Sequence, residues 1–357
     1  MSARIDTLLR IASDQRASDL HLHAGKVPQV RHDGHLVPLP FRELGQHQLR
    51  VMLDEVLDAE QRAELREKRH LDFAYALDDV GRFRGSITAQ TDGYSAVFRV
   101  IPTTIRTLVE LEVPAVVGSF ARHANGLVLV TGPTGSGKTT TLAALVDLVN
   151  ESSGRHVITI EDPIEFVHPR KKGLVTQREV GVHVESFAAG LRSALREAPD
   201  VLVVGEMRDF ETVSLALAAA EAGVLVFATL HTGSAAKAVD RLLGACPADQ
   251  QDQVREILAA LLRGVLSQRL CRGVAGGRVA ACEILLQNVA VSNLIRESKV
   301  HQIDAYLRSG EQAARGMCGL EESLLRLVRE RRITAVEAMS HSNEPEALRA
   351  ALGSEAA

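Results

Sequence analysis

Residues 127–150, LVLVTGPTGSGKTTTLAALVDLVN, decide the fold of this chain. An apolar strand enters a glycine-rich turn, and an Ala- and Leu-rich helix begins directly after that turn. The turn GPTGSGKT, residues 132–139, fits the pattern G-x-x-x-x-G-K-[ST] without a mismatch. Because a strand precedes it and a helix follows it, we interpret the turn as a phosphate-binding loop and not as a chance glycine-rich segment.

Such a loop points successive backbone N–H groups at a phosphate, and the positive end of the following helix adds to the attraction. Lys138 is expected to reach the β- and γ-phosphates, and the Thr139 hydroxyl to ligate Mg²⁺. The expected ligands are therefore ATP and Mg²⁺. The predicted nucleotide-binding residues are Gly132, Pro133, Thr134, Gly135, Ser136, Gly137, Lys138, Thr139 and Thr140.

The order of segments around this loop indicates an α/β domain. Continuously apolar strands alternate with helices, which predicts a parallel sheet covered on both faces. The first hundred residues instead mix helical spacing with short alternating strands, which is typical of an α+β module. We predict an N-terminal domain over 1–101, a linker over 102–114, an ATPase core over 115–285 and a helical C-terminal subdomain over 286–357.

The composition argues against several classes of protein. The 357 residues carry a net charge of −4 and only 3% aromatic residues, which argues against a protein that coats nucleic acid. No apolar signal segment opens the sequence. Glu221 and Gly223 divide the apolar run 213–230 into pieces too short to span a bilayer. The four cysteines form no CxxC pair, so a tetracysteine zinc site is not expected, and the chain is predicted to be cytosolic.

Hydrolysis also requires carboxylates that orient water and help to hold the metal. Glu206 ends the strand VLVVGE, at the strand end where α/β sheets bind ligands. Glu161 and Glu165, with Asp162 between them, follow another apolar strand and either act at the site or are exposed loop charges. His231 closes a third strand and either senses the γ-phosphate or is a structural histidine.

These motifs, in this order, resemble the secretion-ATPase superfamily and, within it, the PilT-like type IV pilus retraction ATPases. The resemblance covers nearly the whole chain. It is carried by the segments ASDLHLHAG, RFRGS, AVFRVIP, GPTGSGKTTTLAAL, ITIEDPIEFVH, LRSALREAPDVLVVGEMRD and LVFATLHT.

The resemblance implies a RecA-like domain behind a PAS-like N-terminal domain, six chains in a ring, and retraction of a pilus against an inner-membrane platform protein. It implies that Glu206 is the catalytic carboxylate and that Glu161 and Glu165 act on Mg²⁺ or water, Glu161 as a metal ligand. It also implies that His231 couples nucleotide state to domain position. Three arginines are implied to approach the phosphates when the domains close: Arg82, Arg84 and Arg99.

The sequence departs from the usual patterns at three positions. Gly205 replaces the aspartate usual before a catalytic carboxylate such as Glu206, so metal ligands are expected elsewhere. Relative to the family that the chain resembles, Val224 replaces an earlier histidine, and Ser292 replaces an arginine of the C-terminal retraction signature. The last two departures leave an alternative function, an accessory ATPase subunit that modulates a paralogous pilus or secretion motor. A nucleic-acid translocase is a third, which the acidic balance disfavours. The histidines His21, His23, His32 and His35 are either a metal cluster or ordinary strand residues.

Overall fold

The computed structural model describes residues 3–15, 17–32, 35–101, 104–309 and 316–353. The chain forms two compact units, residues 1–104 and 105–357. Part of the predicted linker, residues 102 and 103, lies outside the described residues. No helix in the described ranges combines the length and the apolar character needed to cross a membrane.

The N-terminal unit has its helices and an antiparallel sheet around one core. The helices are α1 (Arg4–Asp14), α2 (Gln46–Val56) and α3 (Ala59–Lys68). The strands are β1 (Asp19–His23), β2 (Gln29–His32), β3 (His35–Pro38), β4 (His70–Leu77), β5 (Gly81–Gln90) and β6 (Gly93–Ile101). They pair in the order β3-β2-β1-β6-β5-β4. Leu20, Phe83 and Phe98 are buried in the core. Side chains alternate between the two faces along a strand, so the strand neighbours of these three residues lie on the opposite face of the sheet.

The segment 43–69 is charged and amphipathic, which predicts helix throughout, but it forms two separate helices, α2 and α3. Leu57 leaves the helical conformation, and Asp58 begins α3 by accepting a hydrogen bond from the Gln61 backbone N–H at 2.8 Å. The Gln61 side chain accepts in return from the Asp58 N–H at 3.1 Å. This reciprocal pair satisfies two orphan donors at the helix start, which explains the break.

The second unit is built on a mostly parallel sheet. Its strands are β7 (Gly126–Thr131), β8 (His156–Glu161), β9 (Leu174–Glu179), β10 (Val201–Val204), β11 (Leu225–Leu230), β12 (Leu262–Arg272) and β13 (Arg278–Leu286). They lie in the order β13-β12-β7-β11-β10-β8-β9. The strands β7, β10 and β11 are buried at every residue, because helices cover both faces of the sheet.

The helices of this unit form a layer on each face of the sheet. They are α4 (Lys138–Ser152), α5 (Phe187–Ala194), α6 (Phe210–Glu221), α7 (Ala235–Gly244), α8 (Gln251–Leu261), α9 (Val289–Arg296), α10 (Ile303–Leu307), α11 (Leu320–Arg329), α12 (Ala335–His341) and α13 (Pro345–Gly353). A short 3₁₀ segment, Ala115–Arg122, precedes β7.

The sheet differs from the purely parallel one predicted from the sequence. The strand β13 pairs antiparallel with β12, whereas β12 pairs parallel with β7. The reason is the short turn over residues 273–277, which can join only antiparallel neighbours. The strand β12 contains Arg263, Gln268 and Arg269 and follows α8 directly, so its apolar pattern does not stand out in the sequence.

Glu283 on β13 gives a pH-dependent stability prediction. Its carboxylate accepts from the Ala235 N–H at 2.5 Å, and burial raises its pKa from 4.5 to about 7. The folded chain therefore binds this proton more tightly than the unfolded chain, so stability falls as pH rises from about 4.5 to about 7. The stability of Glu283→Gln relative to wild type should therefore increase as the pH is raised from 5 to 8 (about three pH units). The free energy of unfolding is measured by urea denaturation.

The matched control for this prediction is Glu322→Gln, because Glu322 is an exposed carboxylate in the same unit, residues 105–357. Its stability difference from wild type should stay constant over the same pH range. A Glu283→Gln difference that is equally constant would contradict the buried, proton-binding carboxyl group.

Candidate nucleotide site

The predicted phosphate loop joins β7 to α4 and is tightly curled. Gly132, Gly135 and Gly137 have φ angles of 146°, 78° and 87°. A Cβ atom on Gly132 would lie 2.4 Å from both the Gln268 carbonyl oxygen and the Ser136 hydroxyl oxygen. No side chain fits there, so this glycine is required both for its backbone angle and for the close approach of β12.

The polar groups of the loop fit a bound phosphate. The Ser136 hydroxyl is buried and has no hydrogen-bond partner. The Lys138 ammonium is buried in the loop and donates to the carbonyl oxygens of Gly132 at 2.9 Å and Pro133 at 3.0 Å. An unpaired hydroxyl, a lysine and the N-terminus of a helix are the kinds of groups that bind an anion. Thr139 and Thr140 are half-buried in the first turn of α4, and Thr134 is exposed.

The sheet brings the other predicted residues to the same edge as the loop. The strands β7, β8, β10 and β11 are parallel, so their carboxyl ends lie together. The phosphate loop follows β7, Glu161 ends β8, Glu206 follows β10 and His231 follows β11. The Thr131 hydroxyl donates to the Thr232 carbonyl at 2.7 Å and ties the loop strand to the His231 segment.

Glu206 lies at the centre of this edge. One of its oxygens pairs with the Arg208 guanidinium at 2.6 and 2.7 Å, and the other lies 3.4 Å from Nε2 of His231. Burial lowers the pKa of Lys138, while the negative charges of Glu206 and Glu165 raise it. Lysine and glutamate therefore interact across the place where a phosphate would bind.

Arg208 is a site residue that sequence reasoning missed. It lies two positions after Glu206, in the quoted segment VLVVGEMRD, and its side chain is 62% exposed. Glu206 raises its pKa, so the two form a charged pair. Nothing in the local sequence distinguishes this arginine from a surface residue, because its partner is defined only by the loop geometry.

The acidic segment after β8 places its two glutamates differently. Glu161 is buried, and its Oε1 accepts from the Thr159 hydroxyl at 2.6 Å and from the Gln177 amide at 3.1 Å. Burial raises the pKa of Glu161. Glu165 is exposed and acts on Lys138 through its charge. A cis peptide bond joins Asp162 and Pro163 between them.

The arginines Arg82, Arg84 and Arg99 share one face of the N-terminal sheet. Arg84 and Arg99 are direct cross-strand partners on β5 and β6. Arg99 donates from Nε to the Asp19 carboxylate at 2.9 Å, although its side chain is 68% exposed. Asp19, which sequence reasoning did not single out, therefore orients one of the three guanidinium groups.

The four histidines singled out in the sequence, His21, His23, His32 and His35, lie on the same N-terminal sheet. His21 and His23 stack with ring centroids 6.4 Å apart, and burial lowers the pKa of His21. His32 and His35 are cross-strand partners on β2 and β3. Within the described ranges, no group of three potential metal ligands includes any of these histidines.

The structure gives a reason for two of the three departures, Gly205 and Val224. A Cβ on Gly205 would lie 3.1 Å from the Ile160 carbonyl oxygen, so a glycine suits the close approach of β8 and β10. Val224 is buried before the start of β11, whereas His231 follows its far end. At ~3.3 Å per residue the two positions are roughly 20 Å apart, so valine removes no imidazole from the phosphate edge.

Ser292, the third departure, is part of the packing between α8 and α9. Its side chain is buried and donates to the Ala259 carbonyl oxygen at 2.7 Å. It also accepts from the Gln287 amide at 3.2 Å. The serine therefore satisfies a carbonyl near the end of α8, and an arginine at this position would require a different arrangement of the two helices.

Known proteins are similar to this chain over nearly its whole length. The family described as "Type II/IV secretion system protein" matches residues 2–355. The type IV pilus retractation ATPase PilT of Pseudomonas aeruginosa is 45% identical over 342 residues, 96% of this chain and 99% of that relative. The type IV pilus ATPase PilU of the same bacterium is 38% identical over 346 residues, 96% of this chain and 90% of PilU.

The three-dimensional structure of the chain is also similar to a known one. A crystal structure of the pilus retraction motor PilT with bound ADP matches with a TM-score of 0.90 and 41% identity, over 98% of this chain and 100% of that one. This match confirms the predicted fold, a RecA-like ATPase domain with an N-terminal α+β part and a helical C-terminal part. The chain therefore belongs to the type II/IV secretion system protein family.

Proposed function

We propose that this chain is a Mg²⁺-dependent ATPase motor that retracts type IV pili. The observation that carries the proposal is the meeting of Lys138, Glu206 and His231 at one sheet edge beside a phosphate loop. Support for retraction as the work performed comes from the likeness to PilT over nearly the full length of both chains.

Each predicted residue has a physical task in this proposal. The loop residues 132–140 hold the phosphates through backbone N–H groups, Ser136 and Lys138. Glu206 accepts a proton from, or orients, the attacking water, because its carboxylate lies at this edge, is 19% exposed and contacts both Arg208 and His231. His231 is 45% exposed beside Glu206, so it can report the state of that carboxylate to its own loop.

The Thr139 hydroxyl and Glu161 are proposed to hold Mg²⁺, since hydroxyl and carboxylate oxygens are its preferred ligands. The ion supplies neutralisation of phosphate charge. Glu161 already accepts two hydrogen bonds on Oε1, so its other oxygen is the one we assign to the metal or its water shell. Glu165, exposed and electrostatically linked to Lys138, is assigned to the water shell.

We further propose that Arg82, Arg84 and Arg99 approach the triphosphate of the same or a neighbouring chain when the domains close. Guanidinium charge stabilises the charge that develops during phosphoryl transfer. Hydrolysis is then tied to domain movement. We propose that the chain works as a homohexamer at the cytoplasmic face of the inner membrane, acting on the pilus platform protein.

The alternative is an accessory subunit that modulates a paralogous pilus or secretion motor. Ser292 is the observation that favours it, because this position carries an arginine in the retraction signature that the chain resembles. The higher identity with PilT than with PilU, 45% against 38%, favours the motor.

The test is complementation of a strain that lacks its retraction ATPase. Wild-type chain should restore twitching motility, and Arg84→Ala, which changes an exposed side chain, should not, although its protein level is normal. Restoration only when the paralogous motor is also present would support the accessory alternative. Persistent monomers in the presence of ATP would contradict the ring, and DNA-stimulated hydrolysis with steep salt dependence would favour a translocase.

A further inference from the structure

A group of three potential metal ligands lies away from the phosphate loop, in the C-terminal part of the second unit. Cys271 is near the end of β12, and Glu337 and His341 are one turn apart on α12. The Cys271 sulfur, one Glu337 carboxylate oxygen and one His341 ring nitrogen all lie within 4.8 Å of one another. It is the only such group in the described ranges of the chain.

Hydrogen bonds orient two of the three side chains, Glu337 and His341. The Arg272 N–H donates to Oε1 of Glu337 at 2.6 Å, and Nε2 of His341 lies 3.1 Å from the same oxygen. The Arg269 guanidinium hydrogen-bonds the His341 carbonyl oxygen and the Asn343 side chain, which fixes the end of α12. A strand and a helix thus present their donors to one point before any ion binds.

The donor set indicates the class of ion. A thiolate, an imidazole and a carboxylate are the ligands of Zn²⁺, and hard ions such as Mg²⁺ use oxygen ligands instead. Cys271 is fully buried, whereas the side chains of Glu337 and His341 are 25% and 30% exposed. The Cys271 side of the group is therefore shielded from solvent. The side of Glu337 and His341 is open to an entering ion and to a water molecule as fourth ligand.

We propose that Cys271, Glu337 and His341 form a binding site for one Zn²⁺ ion. On binding, the Cys271 thiol releases its proton to solvent, and the sulfur, the neutral His341 ring and the Glu337 carboxylate each form one bond to the ion. Before binding, the three groups carry one negative charge, on Glu337. The Zn²⁺ ion with the thiolate, the carboxylate and the neutral imidazole is neutral, so binding raises the charge of the site by one.

The consequence is a link between the C-terminal helices and the strand that supports the phosphate loop. The strand β12 also contains Gln268, whose carbonyl oxygen leaves no room for a Cβ atom on Gly132. Arg269 on the same strand lies 3.5 Å from the Gly233 carbonyl oxygen. An ion that joins α12 to β12 would stabilise this region. The inference does not depend on the proposed ATPase activity, since every residue in it lies outside the nucleotide site.

The test uses the full-length chain stripped with a chelator and titrated with Co²⁺, whose bond to a thiolate gives an intense near-ultraviolet band. Zn²⁺ is then used in competition. We expect each chain to bind one ion (about one equivalent). Binding should release protons, and saturation should raise the melting temperature. Cys271→Ser should abolish the thiolate band, and His341→Gln should weaken binding by roughly tenfold or more.

The matched control is Cys246→Ser, because Cys246 is also buried but belongs to no ligand group, and its hydrogen bond to the Leu242 carbonyl suits a hydroxyl. It should keep the band and the affinity. If Cys271→Ser does not fold, the partly exposed His341→Gln decides. A thiolate band that survives Cys271→Ser, or equal Zn²⁺ affinity in wild type and His341→Gln, would overturn the site and leave a hydrogen-bonded cluster.

Discussion

Glu206→Gln should lower the ATP turnover number of the purified chain by about 10²–10⁴-fold. The carboxylate is replaced by an amide of nearly the same shape, which still accepts a hydrogen bond from Arg208 but cannot take a proton from water. The amide NH2 group then takes the place of the Glu206 oxygen that lies 3.4 Å from Nε2 of His231, so the geometry of the edge should be kept. The affinity for ATP should remain close to the wild-type value, because the phosphate loop is unchanged.

Turnover is measured by steady-state phosphate release, and affinity by titration with a fluorescent nucleotide. The matched control is Glu221→Gln. Glu221 is an exposed carboxylate at the end of α6, just before β11 begins, and so lies at the opposite edge of the sheet from Glu206. A Glu206→Gln chain that hydrolyses ATP as fast as the control would show that another group activates the water.

Lys138→Ala should weaken ATP binding by roughly 10- to 100-fold, which corresponds to the ~1.5–3 kcal/mol of a charge-assisted hydrogen bond. The buried ammonium also donates to the carbonyl oxygens of Gly132 and Pro133 and so helps to hold the loop. Without it, the negative charges of Glu206 and Glu165 face the phosphates unopposed. Both effects act in the same direction.

Titration calorimetry with ATP measures this loss directly. Lys172→Ala is the control, because it removes an exposed lysine from the loop before β9 and leaves the phosphate loop intact. Lys138→Arg should restore the charge but not the affinity, since the longer planar group does not fit a side chain that is only 8% exposed. Unchanged ATP affinity in Lys138→Ala would contradict the proposed phosphate site.

The phosphate loop and the apolar strands could be read from the sequence because their determinants are local. Gly132, Gly135 and Gly137 set the backbone of a turn that they themselves form, and the buried strands are consecutive apolar residues. The position of Glu206 and His231 at strand ends followed from the same local pattern. The general rule for parallel sheets then placed both at one edge.

The strands β12 and β13 and the break between α2 and α3 were not predicted, for two different physical reasons. The strand β12 is stabilised by its parallel neighbour β7 and its antiparallel neighbour β13, and its polar residues hide the strand pattern. The break at Asp58 depends on a reciprocal cap with Gln61, which competes with continuation of the helix through Leu57.

By itself, then, the sequence determined the phosphate loop, the two kinds of module and the carboxylates near strand ends, because each depends on residues close together in the chain. Only the tertiary structure decided that Glu161 is buried while Glu165 is exposed, and that Arg208 pairs with Glu206. It alone brought Cys271 to Glu337 and His341. Burial and charge pairing depend on strand order and helix packing, and these are fixed by contacts between residues far apart in sequence.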